Sequence, residues 1–275
     1  GTGSSQSITG IGHQPDLVWV KSRTDTRKHN MYDSVRGTEK RIVTNSNVAE
    51  DTVGGVTAFN SDGFTAGTET DVNGSSRNFV SYNWKAGTTS GLSGGTITPS
   101  SYSINTTSKF GIYKYTGNGT SGATIAHGLG GTPACIWIKA LSRVDDWVVG
   151  HHQFNGGTNA WNYSQFLNTS GAEMANAGLM TETPTSKFLT LSGSNWVNNI
   201  SASGVNGILF LFASVDGISK VGSYAGSSST VTVTTGFQPR FVIIKNITSS
   251  AAWLVLDTPR GWTGTNDKYI FLSSA

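Results

Sequence analysis

The chain has 275 residues, with 35 glycines, about a quarter serine plus threonine, 36% hydrophobic, 10% aromatic and only 13% charged residues. That excludes a disordered chain, which is poor in aromatics and rich in net charge, and a helical one, because residues favouring turns and strands dominate over good helix formers. The net charge of +3 makes no basic stripe: residues 1–87 carry nine basic and nine acidic side chains and residues 88–275 carry ten and seven, so nucleic acid is not expected as a partner. The single cysteine, Cys135, excludes an intrachain disulfide and a cysteine-based metal site. The longest apolar run, Ile208–Ala213, is far short of the roughly 20 residues that cross a bilayer. No membrane insertion is expected, and the N-terminal segment does not read as a signal peptide.

In chain order, the first strong signal is Gln14–Lys21 (QPDLVWVK), a proline followed by an apolar run and a lysine. It returns as Thr132–Lys139 (TPACIWIK) and Gln238–Lys245 (QPRFVIIK), with the prolines 118 and 106 residues apart. Fourteen residues after each proline stand His29, Trp147 and Trp253, and eighteen after stand Asp33, His151 and Asp257. Arg36-Gly37 and Arg260-Gly261 follow in the first and third segments, where the second reads His152-Gln153-Phe154-Asn155. Phe79–Trp84 matches Gly207–Phe212, and Phe110–Gly117 matches Val221–Gly226 with a gap. Self-similarity at this spacing predicts a module of about 110 residues. The first copy (1–87) lacks its first strand, the second (109–218) is complete, and the third (219–275) lacks its C-terminal strands. Residues 88–108 form a Ser/Thr/Gly-rich connector, in which 96–98 and 102–104 alternate as an edge strand would.

Within the second copy, strands are expected near 111–116, 123–127, 134–140, 146–151, 163–168, 187–191 and 207–214, with one helical turn in 172–178. The predicted fold class is all-β: tandem antiparallel β-sandwich repeats of jelly-roll or lectin-like type. A sandwich lacking strands bares backbone edges. The expectation is therefore that the polypeptide extends past both ends or that neighbouring subunits donate strands.

Motif-like strings read as turns. Gly117–Gly122 fits G-x-G-x-x-G but no helix follows to hold a pyrophosphate, and Gly91–Gly95 fits G-x-S-x-G inside the connector. His151 and His152 are adjacent, so on a strand they face opposite ways and make a poor metal pair. Asp33 with Arg36, and Asp257 with Arg260, read as turns held by charge-assisted hydrogen bonds. Cys135 reads as an inert core thiol. Trp161, Tyr163 and Trp262 lie in an inserted, polar segment; they are expected to pack on a neighbour or, on exposed loops, to stack on sugar rings. The possible contact residues for glycan or partner are thus Trp161, Tyr163, Trp262, His151 and His152. No catalytic residue, cofactor or metal is expected.

Phe110–Pro133, the proline–apolar–Trp–x–Lys strand, the D-x-x-R-G turn, Asp62-Gly63-Phe64 and Trp84-Lys85-Ala86-Gly87 together resemble a repeat module of large virion structural proteins of marine tailed bacteriophages, the cyanophages and pelagiphages. The resemblance covers nearly the whole chain. It implies a non-enzymatic, virion-located fibre or appendage protein engaged in host attachment. Its implied partners are copies of itself, with a trimer first, or other virion proteins, and a host surface glycan. A bacterial adhesin or glycan-binding repeat protein is the alternative. A carbohydrate-active enzyme ranks lower because no pair of carboxylates recurs as hydrolysis needs.

Overall fold

The computed structural model describes residues 1–175, 179–192, 202–262 and 267–274. The first unit contains β1 (Gln6–Thr9), β2 (Leu17–Ser22), β3 (Asn30–Asp33), β4 (Lys40–Val43), β5 (Asp51–Thr52), β6 (Val56–Asn60), β7 (Gly63–Ala66), the single helical turn α1 (Thr70–Asn73) and β8 (Phe79–Trp84). The connector supplies β9 (Ser101–Asn105). The second unit contains β10 (Phe110–Thr116), β11 (Ala123–Ala126), β12 (Cys135–Ala140), β13 (Val148–His151), β14 (Tyr163–Phe166), β15 (Met174–Ala175), β16 (Phe188–Leu191) and β17 (Asn206–Phe212). The third unit contains β18 (Phe241–Ile244), β19 (Leu254–Asp257) and β20 (Tyr269–Phe271).

Among the described residues every pairing of the named strands is antiparallel, and the chain is an all-β sandwich fold. In the first unit a five-stranded sheet, β5-β4-β3-β2-β8, faces a three-stranded one, β1-β7-β6. In the second, β15-β14-β13-β12-β17-β10-β9 faces the ribbon β11-β16; the third is β18-β19-β20. Registers coincide between units. Leu17 pairs with Asp33, Cys135 with His151 and Phe241 with Asp257; Trp19 pairs with Tyr82, as Trp137 does with Phe210.

β2 is buried at every position, which explains an apolar run without alternation: both faces of the sheet are covered. Val18 and Val20 face the first unit's own core with Tyr32, Val56 and Phe64. Leu17 and Trp19 face a second core shared with Trp137, Trp147, Phe210, Trp253 and Val255, from all three units. The second unit has its own inner core around Tyr113, Tyr115, Ile125, Ile138 and Leu209. The expectation of sandwiches strung in tandem is thus refined, because the three main sheets turn one face each into a single common core.

A clamp recurs at each junction. Trp147 Nε1–H donates to the carbonyl of Val43 (2.8 Å), joining the second unit to the first. Trp253 Nε1–H donates to the carbonyl of Phe166 (3.1 Å), joining the third to the second. His29, at the corresponding place, lies against the backbone of Phe271 and Ser274, joining the first to the third, though neither ring nitrogen reaches strict hydrogen-bond geometry. Backbone bonds flank the clamps: Asp145 N–H to Asn47 C=O and Glu50 N–H to Leu141 C=O at one junction, Ala251 N–H to Ser170 C=O and Glu173 N–H to Ile247 C=O at the next. The three units therefore close in a cycle.

The connector is not a free linker. β9 pairs with the outer edge of β10, Ile97 and Ile104 are buried, and Thr88 bridges to Ile104. Ser103 Oγ–H donates to Asp16 (2.9 Å), whose carboxylate also accepts from Ser34 Oγ–H and from Ala86 N–H. The helical turn expected in 172–178 is instead strand at Met174–Ala175, and 176–178 lie outside the described residues.

Trp137 is 5% exposed, Trp19 fully buried and Ile243 half-buried against the same core. Trp137→Ala is expected to cost about 3–5 kcal/mol, read as a drop in urea midpoint; an unchanged midpoint would refute the assigned role of this face.

Candidate functional site

The five residues expected to make contacts do not converge. Trp161 sits on a short 3₁₀ turn after Asn159, whose φ of 48° is left-handed, and is buried rather than displayed on a loop. Its ring packs over Gly150 in β13, where an added β-carbon would stand 3.1 Å from Cζ3 of the indole and 2.8 Å from Cδ2 of Leu179. Glycine in a strand commonly marks such a close approach, and the exposed-loop expectation for Trp161 is corrected. Tyr163 begins β14 and packs against the common core. Trp161 belongs to the inner core on the opposite side of that sheet. Of the three aromatics only Trp262 is exposed.

His151 ends β13 and His152 opens the turn after it, with ring centroids 5.1 Å apart. Gln153 N–H donates to His151 Nδ1 (3.1 Å), and His152 Nε2 lies 3.3 Å from the carbonyl of Val221. His151 thus holds a turn, as Asp33 does where its Oδ1 accepts from Arg36 N–H (2.9 Å) and Asp257 where it accepts from Arg260 N–H (2.9 Å). Burial pushes the His151 imidazole down to about 4, helped by the neighbouring His152. Burial also pushes the Cys135 thiol, across the ladder from His151, up to about 12, which removes thiolate character at neutral pH. Among the described residues no group of three or more His, Cys, Asp or Glu could hold a metal.

The Asp–Arg turns are buried ion pairs. Arg36 Nε–H donates to Asp33 Oδ2 (2.6 Å), and its Nη2–H to the carbonyl of Met31. Arg260 repeats both contacts, on Asp257 and on the carbonyl of Val255. Tyr82 O–H donates to Asp257 (2.7 Å), tying the first unit to the third. The three corresponding lysines act alike: Lys21, Lys139 and Lys245 each donate Nζ–H to the next residue's carbonyl. For Lys139, burial lowers the ammonium pKa to about 8.

The string Gly117–Gly122 is a turn between strands, with Gly119 and Gly122 at φ of 74° and 82°. Gly91 and Gly94 in the connector also have positive φ. Neither string precedes a helix. Unforeseen from sequence is an exposed aromatic pair on β20, Tyr269 and Phe271, with centroids 5.0 Å apart. The hydrogen bond from Lys268 N–H to Gly261 C=O ties the start of this strand to the residue before Trp262. The signal was alternation in Tyr269–Phe271, which places both rings on one face.

His29 supplies a pH prediction. Burial, with the charge of Lys21 second, pushes its pKa down to about 3 from an ordinary 6.5. The unfolded chain takes up the proton first as pH falls below 6.5, so stability present above that value is lost progressively towards pH 3. At pH 4.5 the loss is on the order of 2–3 kcal/mol for His29, and His151 acts in the same direction. Urea midpoints at pH 7 and 4.5 measure it, and His29→Phe should flatten the slope.

Residues 1–274 match the family described as Domain of unknown function (DUF7483), and the chain belongs to that family. No curated protein and no solved structure matches the chain.

Proposed function

We propose that this chain is a non-enzymatic structural component of a phage virion, part of a fibre or appendage that meets the host surface. One observation carries the reading. The strings that resemble the phage module fall on framework positions: β2, β12, the Asp33–Arg36 turn, β8 and β10 all serve the cores and junctions. What resembles the phage module is therefore a scaffold. His151, Cys135 and the buried Asp33–Arg36 pair are likewise engaged in turns and packing, as a part built for rigidity requires.

Mass spectrometry of purified particles, with antibody labelling in electron micrographs, tests this. The chain is expected among the virion proteins and at an appendage. Finding it on the bacterial surface and absent from particles would favour the adhesin reading instead.

Carbohydrate contact is the second reading, favoured by the exposed rings of Trp262, Tyr269 and Phe271 in the third unit. Aromatic faces of this kind stack on sugars. Glycan-array binding should be lost in Trp262→Ser with Tyr269→Ser; retained binding would remove these rings as the contact.

A further inference from the structure

We propose that the junction between the first and third units encloses one or two water molecules, held by Trp19, His29 and Thr44. This inference is independent of the virion reading. The three residues share one face of the first unit's main sheet. Trp19 pairs with Met31 and Met31 with Ile42, all three in the common core. His29 and Thr44 stand two residues from Met31 and Ile42, and side chains two apart on a strand share a face. Thr44 N–H donates to the carbonyl of His29 (3.0 Å), which extends the β3–β4 ladder to this pair. The Trp19 and His29 ring centroids are 5.8 Å apart. All three side chains are fully buried, yet among the described residues Trp19 Nε1, both ring nitrogens of His29 and Thr44 Oγ1 have no hydrogen-bond partner. Buried polar atoms are nearly always bonded, to protein or to ordered water.

The other two junctions show what has changed. Leu167 N–H donates to the carbonyl of Trp147 (3.1 Å) and Leu272 N–H to that of Trp253 (2.9 Å), so these pairs occupy the places of Thr44 and His29. Both leucines are fully buried in the common core, and each indole reaches a carbonyl of the neighbouring unit directly. The first unit departs at both positions at once, to side chains that are smaller and polar. An imidazole with a threonine fills less space than an indole with a leucine, and a water needs only about 30 Å³ with two to four polar partners. The surroundings of Trp19 differ as well. Its counterpart Trp137 has the Cys135 side chain for its indole to bond, where the first unit has Leu17.

The chemistry of the site selects water. Burial holds the His29 pKa down at about 3, so its ring is neutral at pH 7, with one nitrogen a donor and the other an acceptor. The ring lies against two acceptors, the backbone carbonyls of Phe271 and Ser274. Only one of them can take the single ring N–H, and the lone pair of the other nitrogen needs a donor. Lys21, on the same face, directs its Nζ–H groups to the carbonyls of Ser22 (3.0 Å) and Asp25 (3.3 Å) instead. The two carbonyls disfavour an anion in the site, and the Trp19 N–H disfavours a cation. A water both donates and accepts. It can take the Trp19 N–H and donate to the imidazole lone pair, with the Thr44 hydroxyl completing the set.

A crystal structure of the whole chain that orders internal solvent, with oxygen-17 relaxation dispersion in solution, tests the proposal. One or two water peaks are expected within about 2.7–3.2 Å of at least two among Trp19 Nε1, the His29 ring nitrogens and Thr44 Oγ1. His29→Trp with Thr44→Leu rebuilds the pairing of the other two junctions, and the dispersion signal should fall by the same one or two long-lived waters. Should that variant fail to fold, His29→Phe, which removes both ring nitrogens, serves in its place with the same expected loss. A dry junction in the wild-type density, or a dispersion signal undiminished in the folded variant, would overturn the proposal.

Discussion

Trp147→Ala is expected to lower the unfolding free energy by about 3–5 kcal/mol and to loosen the junction between the first and second units. The indole is fully buried, stacks near Phe210 at 6.1 Å, and donates to Val43 across that junction. Two losses combine: the volume of the ring within the common core, and the partner of a buried carbonyl. Trp147→Phe separates them. It keeps most of the packing and should cost about 1–3 kcal/mol, the desolvation penalty of an acceptor left unpaired. Hydrogen exchange at β4 and β14, which supply the carbonyls for the two tryptophan clamps, should report the local loosening. Unchanged protection at β4 in Trp147→Ala would mean that the clamp does not hold the junction.

Arg36→Ala should cost a similar amount, about 3–5 kcal/mol, because it strands the carboxylate of Asp33 without its counter-ion. Both side chains are wholly buried, and the guanidinium also reaches Glu50 at 3.0 Å. Desolvation raises the Asp33 pKa even with Arg36 in place; without it the carboxyl is expected to protonate in the folded state. The double variant Asp33→Ala/Arg36→Ala should lose less than the two single losses added, since the stranded charge is gone. Arg260→Ala should be milder, because Asp257 keeps the Tyr82 hydroxyl as a donor. Urea unfolding of the four variants measures all of this. Strict additivity of the Asp33 and Arg36 losses would show that the pair is not coupled.

Much of the fold was legible from particular residues. Proline, an apolar run and lysine marked β2, β12 and β18 at the same offsets at which the registers coincide. The identical places of His29, Trp147 and Trp253 were visible too, but their role was not. Each reaches across to a different unit, and a carbonyl acceptor leaves no trace in sequence. The shared core was hidden for a related reason. An unbroken apolar run such as Leu17–Val20 says that both faces are covered, not by what. Trp161 misled because it lies in an inserted, polar segment; the informative residue was Gly150, whose missing side chain makes room for the ring. The Ser/Thr/Gly composition of 88–108 obscured Ile97 and Ile104, two buried anchors that hold the connector down.

The cyclic closure of three units around one core is tested most directly by equilibrium urea unfolding of residues 1–275, followed in parallel by tryptophan fluorescence and far-ultraviolet circular dichroism. Tryptophans lie in every unit: Trp19 and Trp84 in the first, Trp137, Trp147 and Trp161 in the second, Trp253 in the third. With a common core, no unit keeps its buried face when another leaves, so the two probes should trace one coincident transition. Two or more separated transitions, or fluorescence and dichroism curves that part from each other, would show units that fold independently and contradict the closed arrangement.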